Sequence, residues 1–60
     1  MAYFRRKLKF WNGELIGLQE EISEEDAMKV LKEHWNNPKI LLDRGQGLTV
    51  NGHLYYKEGD

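Results

Sequence analysis

The chain has 60 residues, no cysteine, nine Lys and Arg against ten Asp and Glu, and a formal net charge of -1. That length supports one small domain, residues 1–60, near the lower limit at which a core holds a fold unaided, so extra stability would have to come from self-association. The lack of cysteine excludes a disulfide framework and a zinc ribbon and fits a reducing cytoplasm, while uncharged apolar runs such as Ile40-Leu41-Leu42 are far too short to span a bilayer and no signal-peptide core opens the chain.

Residues 3–11 read Y-F-R-R-K-L-K-F-W, so the first ten residues hold four cations (Arg5, Arg6, Lys7, Lys9) and no acid, whereas residues 14–26 hold six acids and no cation. A bipolar field of this kind orients partners. Asn12-Gly13 between two strand-like runs signals a hairpin. A two-residue loop would place Phe10 opposite Leu15 and leave Ile16, Leu18 and Ile22 on the face of Lys7 and Lys9. A three-residue loop, Trp11-Asn12-Gly13, pairs Phe10 with Glu14, Leu8 with Ile16 and Arg6 with Leu18, and gathers Phe4, Leu8, Phe10, Ile16, Leu18 and Ile22 on one face. The second arrangement is expected, with that face as the core. It sends Tyr3, Arg5, Lys7, Lys9 and Trp11 outward, with Leu15 and Gln19 beside them.

A helix follows. Ser23 is its N-cap, with Asp26 three residues on, the acids of its first turn suit the helix dipole, and Ile22 is placed to pack on Ala27. Ala27, Met28, Val30, Leu31, His34 and Trp35 form the stripe facing the sheet, opposite Lys29, Lys32 and Glu33, until Asn37 before Pro38 ends the helix. Residues 39–43 are expected as a short strand and Arg44-Gly45-Gln46-Gly47 as a mobile link. A second three-residue loop, Val50-Asn51-Gly52, sets Leu48 opposite Leu54, gathers Leu48, Leu54 and Tyr56 on the core side, and sends Tyr55 and Lys57 outward. The fold class is α+β: an antiparallel sheet of 4–5 strands, ββαββ or ββαβββ, with a single helix on one face.

Catalysis finds little footing. The only serine and threonine are Ser23, explained as a cap, and Thr49; neither His34 nor His53 has metal-ligand spacing, and Gly45-x-Gly47 lacks the lysine and helix of a phosphate loop. No enzyme, metal or cofactor is expected. His34 is expected at the core edge and His53 exposed.

The surface that stands out is Tyr3, Arg5, Lys7, Lys9 and Trp11 with Leu15 and Tyr55, because aromatics among cations suit both an interface hot spot and a base-stacking platform. Two functions compete: a protein-binding module docking on a host protein or nucleoprotein complex, and a nucleic-acid-binding β-platform using the same face. A pI near 6.1 favours the first. The acidic block Glu20, Glu21, Glu24, Glu25 and Asp26 is the alternative contact surface, as a phosphate mimic or a dock for a basic partner. Trp11, Leu15, Leu41 and Tyr55, lacking evident cover, also suggest a homodimer.

The closing stretch T-V-N-G-H-L-Y-Y-K-E-G-D, after the I-S-E-E-D-A-M-K-V-L helix start, resembles the tail of small phage-encoded anti-CRISPR proteins. The resemblance implies a compact sheet with one helix, and a viral anti-defence inhibitor that occupies a surface on a host defence or nucleoprotein complex without catalysis or cofactor.

Overall fold

The computed structural model describes residues 2–58; Gly59 and Asp60 of the closing stretch lie outside them. In chain order the elements are β1 (Ala2–Lys7), β2 (Phe10–Trp11), β3 (Glu14–Leu15), β4 (Gln19–Ile22), α1 (Glu24–Leu31), α2 (Pro38–Asp43), β5 (Leu48–Val50) and β6 (His53–Glu58). The fold is α+β. A four-stranded antiparallel sheet has the order β4-β1-β6-β5, and β2 with β3 makes a separate two-stranded arm.

Both hairpins turn through two residues, not three. Phe10 pairs with Leu15 and Trp11 with Glu14; Val50 pairs with His53 and Leu48 with Tyr55. Asn12 and Gly13 have φ of 52° and 80°, Asn51 and Gly52 of 51° and 77°. Two consecutive positive φ values define the type I′ turn, whose twist matches that of the strands it joins, and asparagine tolerates the left-handed region well enough to supply the first.

This shift of register reverses the expected faces. Tyr3, Leu48, Val50 and Tyr55 are buried with Ala27, Met28, Leu31 and Leu42, and Ile22, Val30, Trp35 and Leu41 pack around them. Of the residues assigned to the core, Phe10, Ile16 and Leu18 are instead exposed. Phe4 and Tyr56 are half-buried and stack on each other, ring centroids 5.8 Å apart, and Leu8 and Leu54 are also half-buried. The helices therefore cover the odd-numbered side of β1, around Tyr3, and leave the even-numbered side bare.

Ser23 caps α1 as expected, its hydroxyl accepting from the Asp26 amide at 3.1 Å. The helix closes at Leu31, earlier than expected, and the amides of His34 and Trp35 both bond back to the Leu31 carbonyl in a terminal turn. That turn carries Trp35 onto the core and leaves His34 exposed rather than at the core edge.

Residues 39–43, expected as a strand, lie within the second helix, so the sheet has two helices beside it. Pro38 sits in the first turn, where its missing N–H is no loss and its φ is already helical. At the other end Gly45, with φ 87°, donates to Leu42 O at 3.0 Å and Gln46 donates to Leu41 O at 3.1 Å. These two bonds make a Schellman motif, so the expected mobile link opens as an ordered helix stop. Pro38 and Leu42 are fully buried. No helix of the described residues is long and apolar enough to cross a membrane.

Candidate functional site: a basic and apolar groove beyond the helices

The register of β1 with β4 and that of the arm are one continuous pairing, interrupted at residues 7–9 and 16–18. At the interruption the chain bends: the Lys9 amide turns back to Lys7 O at 3.0 Å, and the Leu8 amide leaves the hairpin for Gly52 O at 2.9 Å. Gly17 fits against the bend so closely that a Cβ there would lie 1.9 Å from the Lys7 carbonyl oxygen. Arg6 closes the other side, Nε donating to Gly17 O at 2.6 Å and a terminal nitrogen to Leu15 O at 3.0 Å. The arm is thus fixed to the sheet by backbone contact and one guanidinium.

Beyond the end of α1 this construction leaves an open groove of about 320 Å³ lined by Arg5, Lys7, Lys9, Ile16, Gly17, Leu18, Glu20 and His53. Strand alternation explains the membership: residues 5, 7 and 9 lie on one side of their strand, with 20, 18 and 16 opposite and His53 across from Lys7. Leu18 is 88% exposed and Ile16 44%. Trp11, near the arm tip, is 68% exposed.

The charges divide by partnership. A terminal nitrogen of Arg5 donates to the Glu20 carboxylate at 2.8 Å, while its buried Nε has no protein partner among the described residues. Lys7 and Lys9 are exposed and form no ion pair among the described residues. The hydrogen bond from Arg5, and then its charge, hold the Glu20 carboxyl below its ordinary value of 4.5, and the same bond raises the Arg5 guanidinium. A carboxylate with a depressed folded pKa stabilises the fold above its unfolded pKa, and that contribution is lost as pH falls through the folded value. The gap in melting temperature between the parent and Glu20→Gln is therefore expected to be present at neutral pH and to close below pH 4.5 as Glu20 protonates. A gap that stays constant into acid rejects the pair as a contributor.

The expected contact residues are thus divided. Arg5, Lys7 and Lys9 come together in the groove, and Trp11 and Leu15 sit on the arm. Tyr3 and Tyr55 do not join them: they are 7% and 4% exposed, within the core, with the Lys57 ammonium 5.8 Å from the Tyr3 ring centroid. Burial first, and the Glu24 carboxylate second, raise the Tyr3 phenol. Leu41, expected without cover, packs against the core.

The acidic block is dispersed. Glu20 belongs to Arg5, Glu21 lies on the opposite side of β4, and Glu24 is 3.6 Å from Lys39. Glu24, Glu25 and Asp26 form the first turn of α1. Among the described residues no three His, Asp or Glu side chains converge to hold a metal ion.

Ile16, Leu18 and His53 are the groove residues that pattern reasoning assigned elsewhere. The signal for them was Gly17, a glycine inside a strand-like run, which marks a close backbone approach. Neither protein-family models, curated proteins nor solved structures give a match to this chain.

Proposed function

We propose that the protein is a non-enzymatic binding module that docks on an acidic surface of another protein through the groove and arm. The observation carrying this is one surface, uncovered by either helix, that presents Leu18 and Ile16, with Trp11 on the adjoining arm, beside two lysines without ion pairs among the described residues. Desolvated apolar and aromatic side chains supply most of the energy of protein contacts, and charges around them steer approach and fix register. Lys7 and Lys9 face the partner's carboxylates, Leu18 and Trp11 insert as anchors, and Arg5 supports the groove wall through Glu20. Binding acts by occupation, and the resemblance to phage anti-defence proteins supports a host nucleoprotein complex in the cytoplasm as the target.

A nucleic-acid platform on the groove side would have Trp11 but neither Tyr3 nor Tyr55 for stacking, since both tyrosines lie in the core, and on the bare sheet face it would place bases on the stacked Phe4 and Tyr56. There Arg6 is engaged by carbonyls, and Glu21 pairs opposite Phe4 and Glu58 opposite Ala2, so phosphates would meet carboxylates. That arrangement favours a protein partner.

The test is a tagged pull-down from the native host with the parent, Leu18→Glu, the double variant Lys7→Glu/Lys9→Glu, and Lys29→Glu on the outer face of α1. Loss of one partner with the first two variants and retention with the third is expected. Equal recovery by all overturns the assignment. Loss on Glu25→Lys instead moves the contact to the start of α1, and salt-sensitive binding to generic DNA or RNA moves it to nucleic acid.

A further inference from the structure

The sheet face away from the helices has a chemistry of its own. Phe4 of β1 and Tyr56 of β6, on the two central strands, stack with planes 25° apart. Leu54 continues the apolar surface on β6, and Gly47 lies beneath it, where a Cβ would come within 2.8 Å of Leu54 Cδ1. Because alternation persists through the groove, Phe10 and Leu15, paired on the arm, project to this same bare side. Phe10 is 61% exposed.

Of the polar groups on this face, Arg6 and Tyr56 are bonded within the chain, while the Glu21 and Glu58 carboxylates form no ion pair among the described residues. Both bonds from Arg6 go to backbone carbonyls, and the Tyr56 hydroxyl donates to Gln19 Oε1 at 2.7 Å. Arg6 and Tyr56 can be covered without losing these bonds, whereas the two carboxylates need a cationic partner if they are to be buried without penalty.

We propose that this face is closed by a second copy of the chain, in a twofold, face-to-face dimer of sheets. Charge distribution selects that occupant. Glu58 and Glu21 lie toward one end of the face, opposite Ala2 and Phe4, whereas Arg6, bonded among the described residues to neutral carbonyls, keeps its net charge toward the arm. A twofold axis lying between the two sheets, parallel to them and perpendicular to β1, sets the Glu21 and Glu58 end of one copy over the Arg6 end of the other, twice over, as an isologous contact requires. The grooves point outward in this assembly, so the dimer stands independently of the function proposed for them.

The test is sedimentation equilibrium of the whole chain from roughly 1 to 500 µM, with melting followed over the same range. The parent is expected to be a dimer whose melting temperature rises with concentration. Phe10→Glu and Glu21→Arg, both at exposed positions, should each weaken the dimer by about tenfold or more while leaving the far-ultraviolet circular dichroism of the fold intact. Leu18→Glu, in the groove, should leave it unchanged. A monomer throughout with a concentration-independent melting temperature overturns the proposal. So does a dimer indifferent to both face variants, or one broken only by Leu18→Glu, which would place self-association in the groove.

Discussion

Leu31→Ala is expected to destabilise the protein by about 2 to 5 kcal/mol, the range for truncating a leucine in a packed core. Leu31 is fully buried, in the α1 stripe with Ala27 and Met28 against Tyr3, Leu48 and Tyr55. Folded domains are stable by roughly 0.05 to 0.15 kcal/mol per residue, so in a chain this small the substitution removes much of the total. Each kcal/mol shifts the melting temperature of such a domain by about 4 to 8 °C. Leu18→Ala supplies the contrast. At 88% exposure its removal opens no cavity, and an effect within about 0.5 kcal/mol is expected. Urea and thermal unfolding followed by tryptophan fluorescence measure both, since Trp35 packs against the core and reports its loss. If Leu18→Ala were the damaging variant and Leu31→Ala the silent one, the register of the first hairpin and the packing of α1 would both have to be revised.

Gly17→Ala is expected to be the most harmful of the glycine substitutions. The added methyl would meet Lys7 O at 1.9 Å and Lys7 C at 2.8 Å, atoms of a backbone held by the bend at residues 7–9. No side-chain rotation relieves such a contact, so the two strands must separate, which also pulls Gly17 O from the Arg6 guanidinium. Overpacking typically destabilises by about 1 to 3 kcal/mol, and a rigid clash falls at or above the upper end. Gly47→Ala meets only the end of the Leu54 side chain, which can move, and a smaller effect is expected there. Thermal melts rank the two. Hydrogen exchange at the Ile16 amide, which bonds Lys9 O at 2.7 Å, shows whether the arm has come loose. A Gly17→Ala protein melting like the parent, with that amide still protected, would mean the bend is not fixed by close approach.

The places where pattern reading succeeded and failed have physical causes. Ser23 with Asp26 announced the start of α1 because capping is local: one hydroxyl meets one amide three residues on. Each Asn-Gly pair announced its hairpin for the same reason, yet the loop length was misjudged. The two-residue loop leaves Ile16 and Leu18 on the side of Lys7 and Lys9, which is poor design for a core. It suits the contact surface proposed above, and the groove is built from those residues. Departures from local consistency gather at functional surfaces, and here the inconsistency coincides with the surface proposed for binding. Residues 39–43 failed differently. A short apolar run suits strand and helix alike, and Pro38 before it with Gly45 after it, the pair that brackets a helix, carried the deciding information.

The pairing of β1 with β6 sets the order in which the chain can fold. Ala2 lies opposite Glu58 and Tyr3 opposite Lys57, so the middle of the sheet joins the first described strand to the last. During synthesis β1 emerges early and can pair only with β4, a hairpin whose closing loop is short. Its other edge, and the Tyr3 ring, wait until residue 58 has left the ribosome. Contacts this distant in sequence carry the largest loop-closure entropy and slow the search for the native state. The last strand is therefore the latch of the domain. Until it arrives, α1 and α2 lack the Tyr55 side of their binding surface, and the core closes in one late, cooperative step rather than growing with the chain.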